Sequence, residues 1–224
     1  MTQSGAQRTN PHDGVFAGRV FICGDIHGCF DQLEAGLQAV GFDKNADMII
    51  ALGDLVDRGP RSQDVVRLLR EKWFTSIKGN HEDLMWAAFH GDTRNYVKNG
   101  GQWFLDLSRD EQAEMVALTQ DLPVALTIET RSGRKIGLVH VDLPGYDWDR
   151  FIERLQDPRV EQYALGCRWR FEMISNGAPA VPIENVDHVY FGHSPTRRPM
   201  RAANMSWIDT GCFHTGVLTI EELL

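Results

Sequence analysis

The chain has 224 residues, of which 42% are hydrophobic, and it carries 23 basic and 31 acidic side chains for a net charge of −8. This length and apolar content suffice for one domain with a sizeable core, and they exclude a disordered, collagen-like or disulfide-stapled chain. The negative charge disfavours broad electrostatic binding to a nucleic-acid backbone, so any phosphate that the chain binds must be held locally.

The first 18 residues are polar and contain no apolar run long enough for a signal peptide, which predicts a flexible N-terminal tail. Residues 19–224 are expected to form a single domain. The four cysteines form no C-x-x-C pair. Continuous apolar runs have the length of strands, far below the roughly 20 residues that a membrane span requires. The sequence therefore predicts a cytoplasmic protein without a membrane or nucleic-acid partner.

The first half of the domain alternates between strand-like and helix-like patterns. Strands are predicted over residues 20–23, 48–52 and 74–77, because these runs are short and apolar. Apolar residues at helical spacing predict helices over 30–40 and 64–72, between the strands. This βαβαβ order predicts parallel strands with helices on the faces of the sheet.

The second half is expected to contain more antiparallel pairing. Three helices are predicted over 82–89, 96–107 and 110–119, followed by a hairpin of strands 123–129 and 135–141 that turns at Ser132-Gly133. The segment 142–182 contains four prolines and is predicted to form surface loops around one mouth of the sheet. Strands over 188–191, 205–208 and 216–220 are predicted after it.

Polar side chains follow five of the predicted strands, at the point where each strand ends. The segments are Gly24-Asp25-Ile26-His27-Gly28, Gly53-Asp54-Leu55-Val56-Asp57-Arg58-Gly59, Gly79-Asn80-His81-Glu82, His140 and Gly192-His193-Ser194-Pro195. Carboxyl ends of strands in an open α/β sheet form the crevice where ligands bind, so we expect these side chains to converge.

Taken singly, each motif has an ordinary interpretation. Gly-Asp after a strand is usually a turn, Asn80 could serve as a helix N-cap, and Glu82 as an acid in the first helical turn. His140 alone is more typical of a core histidine than of a ligand. The motifs together, in this order and each after a strand, favour a functional site.

Carboxylate, imidazole and carboxamide groups without a thiolate form a ligand set suited to Mn, Fe or Zn. The donors exceed the needs of one ion. The predicted ligands are Asp25, His27 and Asp54 for one ion, and Asp54, Asn80, His140 and His193 for a second, with Asp54 bridging. Two ions that share a carboxylate lie roughly 3.5 to 4 Å apart, a spacing that suits displacement at phosphorus. The pattern therefore predicts phosphoester hydrolysis with two divalent ions.

The same residues predict a mechanism. Metal binding lowers the pKa of water towards about 7, which predicts direct attack by a hydroxide that bridges the two ions. Arg58 offers a guanidinium that matches phosphate oxygens. His81 is predicted to protonate the leaving group, with Asp57 orienting its imidazole. The alternative for Asp57 and Arg58 is a local ion pair that stabilises the turn.

At these residues the chain resembles the phosphoprotein phosphatase family of calcineurin-like metallophosphoesterases, most closely its bacterial and lambda-phage-type serine/threonine protein phosphatases. The resemblance also takes in Asn99-Gly100-Gly101, Trp103-Phe104 and Asp209-Thr210-Gly211, and it covers nearly everything from residue 19 onward. It implies an α/β fold with a central mixed β-sandwich flanked by helices and a βαβαβ metal-binding core. It also implies the ligand and acid roles given above, with manganese as the activating ion.

One role comes chiefly from the resemblance, namely a second phosphate-binding arginine from a later loop, which matches Arg168. Relatives usually carry a tryptophan where Gly166 stands, whereas this chain has Trp169 just after the arginine. A shift of two residues would make Arg170 the contact, so Arg170 is the alternative.

The six tryptophans fall into two groups, according to whether they lie in or next to predicted helices and strands or in predicted loops. Trp73, Trp86, Trp103 and Trp207 are expected to pack in the core, whereas Trp148 and Trp169, in the predicted loops, are candidates for a substrate groove.

The leading hypothesis is a metal-dependent phosphomonoesterase that hydrolyses phosphoserine and phosphothreonine in proteins, with phosphotyrosine as a further substrate. The alternative is a dinucleoside polyphosphate hydrolase such as a diadenosine tetraphosphate hydrolase, because such relatives share the metal motifs and the Asp209-Thr210-Gly211-Cys212 ending. A catalytically silent phosphate-binding module is a third interpretation, but such a module should have lost ligands or the acid, and all are present.

Overall fold

The computed structural model describes residues 7–8 and 18–223. In chain order the strands are β1 (Gln7–Arg8), β2 (Val20–Cys23), β3 (Met48–Ala51), β4 (Phe74–Ser76), β5 (Ala125–Glu129), β6 (Lys135–Val139), β7 (His188–Phe191), β8 (Met200–Ala202), β9 (Met205–Trp207) and β10 (Ile220–Leu223). The helices are α1 (Phe30–Ala39), α2 (Ser62–Arg67), α3 (Asn80–Phe89), α4 (Thr93–Lys98), α5 (Gln102–Leu105), α6 (Arg109–Thr119), α7 (Trp148–Glu153), α8 (Pro158–Gly166), α9 (Trp169–Ser175) and α10 (Cys212–Thr215).

The strands form two sheets. The four-stranded sheet has the order β10-β2-β3-β4, and the six-stranded sheet has the order β1-β5-β6-β7-β9-β8. Strands β2, β3 and β4 are parallel, which confirms the predicted βαβαβ unit. The antiparallel pairs are β5 with β6, β8 with β9 and β10 with β2, so antiparallel pairing does concentrate in the second half.

An apolar layer joins the two sheets face to face. Ile22 and Ile50 of the four-stranded sheet pack in one cluster with Leu126 and Leu138 of the six-stranded sheet, and all four are buried. Because successive side chains of a strand point to opposite faces, Phe21 instead joins the apolar layer beneath the helices. The central strands are therefore buried on both faces, which explains their continuous apolar runs.

Helices cover the outer face of each sheet. Helices α1, α2, α3 and α6 bury apolar residues in the cluster that contains β2 and β3, while α7 and α8 do so in the cluster that contains β7 and β9. Helix α9 packs partly buried apolar residues against that second cluster. The molecule is thus a mixed β-sandwich between two helical layers, as the resemblance implied. No helix within residues 18–223 has both the length and the apolarity needed to cross a membrane.

The segment 142–182 was wrongly predicted to be loops, since it forms α7, α8 and α9. One of its prolines, Pro158, is the first residue of α8 and follows the N-cap Asp157, a position where proline favours a helix. Trp148 does not face a groove either. Its side chain is fully buried, and its indole Nε1–H donates to Thr127 Oγ1 at 2.9 Å.

Smaller differences have local causes. The helix predicted over 96–107 is divided into α4 and α5 at Gly100, whose φ of 98° cannot continue a helix. The strand predicted over 216–220 lies at β10 instead, because Gly216 caps α10 in the left-handed conformation. Strand β8 was not predicted. Trp86 is 46% exposed and so is not a core residue.

Two residues of the predicted flexible tail, Gln7–Arg8, form β1, which pairs in parallel with β5. Residues 1–6, 9–17 and 224 lie outside the described residues. The flexible tail and the single domain over 19–224 stay predictions.

Candidate active site

The expected ligands follow the ends of five strands, and these strands belong to both sheets. Asp25 and His27 follow β2, Asp54 follows β3, Asn80 begins α3 after β4, His140 follows β6, and His193 follows β7. The structure brings all six side chains together at one edge of the sandwich, where the carboxyl ends of both sheets meet. This is the position that the sequence motifs predicted.

The loops that carry these side chains hold unusual backbone conformations. His27, Asp54, Asp57, Arg58 and His193 all have φ between 45° and 73°, the left-handed region. Non-glycine residues in this region cost free energy and persist only where the surrounding structure holds them. Such conformations cluster at functional sites, and these loops carry the potential ligands.

Glu82 is one group that holds the loop after β3. Its buried carboxylate accepts the backbone N–H groups of Leu55 at 2.8 Å, Asp54 at 3.0 Å and Gly79 at 2.8 Å. Burial and the charge of Asp54 raise the pKa of Glu82 to about 7. The sequence indicates only a role for Glu82 in the first turn of a helix and does not predict its contacts with the loop after β3.

Asp54 lies at the centre of the cluster. Its Oδ2 is 3.5 Å from His27 Nε2 and 3.9 Å from His81 Nε2, and these three side chains form one group able to hold a metal ion. Asp25 Oδ2 lies 4.0 Å from the same nitrogen of His27.

A second group shares the same carboxylate. Asp54 Oδ1 lies 3.3 Å from His140 Nε2, which lies 3.2 Å from His193 Nδ1. Asp54, His140 and His193 form the second group able to hold a metal ion. Asn80 Oδ1 also lies 3.2 Å from His140 Nε2. The two groups meet at Asp54, but the first contains His81, the expected proton donor, and not Asp25, the expected ligand.

Backbone carbonyls fix the orientation of two histidines. A carbonyl only accepts a hydrogen bond, so His27 Nδ1 must donate to Val56 at 2.7 Å and His140 Nδ1 to Leu52 at 2.6 Å. This leaves the Nε2 atoms facing Asp54, and such carbonyl contacts are typical of histidines that bind metals. A cluster of imidazole nitrogens and carboxylate oxygens without thiolate fits divalent cations.

The protonation of the cluster follows from burial and neighbouring charge. Burial lowers the pKa of His27 to about 3, and burial together with His140 lowers that of His193 to about 3. Burial opposes protonation of His140 as well, but the charge of Asp54 outweighs it and raises the pKa to about 10. His27 and His193 are therefore neutral at pH 7, the form that binds a cation.

His81 and Asp57 form a buried pair beside the cluster. His81 Nδ1 lies 2.6 Å from Asp57 Oδ2, and the two side chains are almost completely buried. Burial opposes protonation of His81, but the negative charges of Asp54 and Asp57 outweigh it and raise its pKa. This environment favours the protonated imidazole that a general acid needs.

Arg58 spans His81 of this pair and His27 of the cluster. Its Nη1 lies 2.7 Å from His27 Nε2, and its Nη2 lies 3.0 Å from His81 Nε2. The guanidinium also lies over the ring of Phe213, 4.7 Å from its centroid, a contact that the sequence did not indicate. Arg58 is thus held at the cluster of potential ligands and not in a turn ion pair with Asp57.

A cavity of about 760 Å³ opens next to the cluster, with Asn80 and His193 in its wall. Arg168 is exposed and also lines this cavity. Arg170 does not line it. Arg170 is buried, and its Nε donates to Asp142 Oδ1 at 2.7 Å. Of the two arginines considered from the sequence, the structure therefore places Arg168 beside the site.

Comparison with known proteins places the chain in a family. Residues 18–197 match the family model of the calcineurin-like phosphoesterases. The chain is 35% identical over 210 residues to serine/threonine-protein phosphatase 1 of Salmonella typhimurium, covering 91% of each protein. It is 27% identical over 220 residues to the asymmetrical bis(5'-nucleosyl)-tetraphosphatase PrpE of Halalkalibacterium halodurans, covering 88% of this chain and 87% of the other.

Among solved structures, a candidate diadenosine tetraphosphatase superposes with a TM-score of 0.69 at 24% identity, covering 98% of this chain and 93% of the other. This likeness concerns the fold. The chain therefore belongs to the calcineurin-like metallophosphoesterases, a family of hydrolases that use divalent metal ions.

Proposed function

We propose that this protein is a metal-dependent phosphomonoesterase that hydrolyses phosphoserine and phosphothreonine in proteins, with phosphotyrosine as a further substrate. The observation that carries the proposal is the convergence of six potential ligands with a buried His-Asp pair and an arginine at one edge of the sandwich. The Salmonella relative, whose name describes the same activity, supports the choice of substrate. The proposed location is the cytoplasm, consistent with four free thiols.

Two divalent cations are the proposed cofactors, with manganese expected and iron or zinc as alternatives. The proposed ligands are Asp25, His27 and Asp54 for one, and Asp54, Asn80, His140 and His193 for the other. When bound, the cations would lower the pKa of water and neutralise negative charge on the phosphate.

The residues of the chain would bind and orient the phosphate. A lone pair serves one partner at a time, so a cation at His27 Nε2 would release the Nη1 of Arg58 that donates there in this structure. The freed N–H groups suit phosphate oxygens, and Arg168 would contact the phosphate from the side of the cavity. His81 would give a proton to the leaving oxygen, while Asp57 holds its ring.

The charge of the cavity bears on the alternative, hydrolysis of dinucleoside polyphosphates, which the relationship to PrpE favours. Asp83 and Glu161 line the cavity together with Arg168. Four linked phosphates would bring several negative charges to this wall, and two carboxylates would repel them. A single phosphate on a peptide needs only Arg58, Arg168 and the cations. The cavity therefore favours the phosphoprotein.

The test compares turnover of a phosphoserine peptide with that of diadenosine tetraphosphate, both with added Mn²⁺. We expect the peptide to be the better substrate. His81→Asn should lower its turnover about 10² to 10⁴-fold while metal binding persists, because only the general acid is lost. Asp54→Asn should reduce both turnover and bound metal, measured by elemental analysis.

Strong preference for the dinucleotide would favour the alternative function. Equal loss of metal in His81→Asn and Asp54→Asn would contradict the proposed division of roles. An inactive wild type, tested on p-nitrophenyl phosphate with Mn²⁺, would restore the interpretation as a catalytically silent module.

A further inference from the structure

The carboxylate of Asp57 is held at both of its oxygens. Oδ2 lies 2.6 Å from His81 Nδ1, and Oδ1 accepts the indole Nε1–H of Trp103 at 2.7 Å. An indole N–H can only donate, so the direction of this second bond is certain. Asp57 is completely buried, and its backbone N–H donates to Ser62 Oγ at 2.9 Å. The orientation of the carboxylate is therefore set by Trp103 as well as by His81.

The local backbone brings Trp103 to this position. Trp103 lies on α5, which follows the turn at Gly101. A side chain at position 101 would collide with the ring of Tyr96, so glycine is required for this close approach. The ring of Trp103 also packs edge-on against Phe104, with centroids 5.8 Å apart. Packing thus holds the indole in the orientation in which it donates its hydrogen bond.

We propose that Trp103 is a positioning residue for proton donation to the leaving group. Trp103 is not among the residues that line the cavity. By donating to Asp57 Oδ1 it keeps Oδ2 directed at His81 Nδ1, and the imidazole of His81 then presents Nε2 to the leaving oxygen. Without Trp103 the Asp57 carboxylate could rotate, and one buried oxygen would lose its donor. This inference rests on the proposed function, since it requires that His81 acts as an acid.

The test uses two phosphate esters that differ in their need for a proton. p-Nitrophenolate leaves without protonation at neutral pH, whereas the alkoxide of serine must be protonated. We expect Trp103→Phe to lower kcat for a phosphoserine peptide about tenfold or more, the size typical of lost supporting contacts. The kcat for p-nitrophenyl phosphate should change by less than about twofold, because general acid catalysis contributes little there.

A matched control is Trp207→Phe. The Trp207 indole is almost completely buried, and its Nε1 has no hydrogen-bond partner in the part of the chain that the structure describes. The same loss of ring and N–H at this position should leave the ratio of the two kcat values unchanged. The nitrophenyl activity retained by Trp103→Phe serves as its own check of folding.

A double-mutant cycle gives the decisive result. If Trp103 acts through His81, Trp103→Phe should have no further effect on the phosphopeptide in the His81→Asn background. Additive losses, or an equal loss of kcat on both esters in the single variant, would overturn the proposal. A wild type that hydrolyses neither ester would instead show that the proposed function itself is wrong.

Discussion

Three backbone N–H groups donate to the carboxylate of Glu82, and they come from two different loops of the site. Two of the donors belong to Asp54 and Leu55, in the loop after β3, and the third is Gly79. Glu82 therefore ties Asp54, the proposed shared ligand, to the start of α3. A single buried side chain fixes the spacing between two of the ligand-bearing loops.

Glu82→Gln should destabilise the protein by about 2 to 3 kcal/mol, because an amide has one acceptor oxygen and turns an NH₂ group towards backbone donors. Equilibrium unfolding in urea measures this change. Asp83→Asn is the matched control, an acid-to-amide change at the exposed neighbouring position, and it should stay within about 0.5 kcal/mol. Equal stability of the two variants would show that the N–H contacts of Glu82 contribute little.

Single residues of the site differ in how far the sequence predicts them. The six expected ligands stand directly after apolar strands, so a local pattern predicts their convergence. Glu82 and Trp103 are different, because Leu55 lies 27 residues from Glu82 and Asp57 lies 46 residues from Trp103 in the sequence. A glutamate in a first helical turn and a tryptophan next to a phenylalanine both have common local explanations. Only the packing of the loops shows their contacts with the site.

Helix α9 positions Arg168, which is its N-cap, and is anchored by Arg170 two residues later. Arg170 donates from Nε to Asp142 at 2.7 Å and from Nη2 to the carbonyls of Leu143 at 2.9 Å and Gly145 at 2.5 Å. These acceptors lie in the loop that follows His140. The helix is thus fixed to one of the ligand-bearing loops, and the two arginines have different tasks.

Substitution of each arginine by methionine separates these tasks. Arg168→Met should lower kcat/KM for a phosphopeptide about 10-fold to 100-fold and leave stability within about 0.5 kcal/mol. Arg170→Met should destabilise the protein by about 3 to 5 kcal/mol, because the buried carboxylate of Asp142 loses its partner. Kinetics and urea unfolding measure the two effects. If Arg170→Met lowered kcat/KM and Arg168→Met lowered stability instead, Arg170 would be the phosphate contact.

The elements of the first half follow closely from the sequence, whereas those around α9 do not. Strands β2, β3 and β4 are short apolar runs, which predict buried strands without ambiguity. The segment 142–182 contains four prolines, and its helices are only six, nine and seven residues long. Helices this short are marginal on their own and are stabilised by packing against the six-stranded sheet, which no local pattern contains.

At the scale of the whole molecule, the expected ligands come from both sheets of the sandwich. A cation bound between Asp54 and His140 would therefore link the end of β3 to the end of β6. Ligands that bind only the folded state stabilise it, and this one would also hold the two sheets together.

Mn²⁺ at about 100 times its Kd should add about 2.7 kcal/mol of stability, which corresponds to an increase in Tm of roughly 5 to 10 °C for a protein of this size. Differential scanning calorimetry of the protein after EDTA treatment, with and without Mn²⁺, measures the shift. Asp54→Asn should lose most of it, whereas His90→Asn, a change at an exposed histidine, should retain it. An equal shift in both variants would place the stabilising cation elsewhere.

The pairing of β10 with β2 has a consequence for how the site is made. Strand β10 is residues 220–223, yet it completes the sheet that otherwise consists of strands from the first 76 residues. During translation, β2 cannot gain this neighbour until residues 220–223 have left the ribosome. The segment with Asp25 and His27 follows β2 directly. We therefore expect nascent chains that stop before β10 to be catalytically silent. Hydrolysis would then begin only after β10 has been synthesised and has paired with β2.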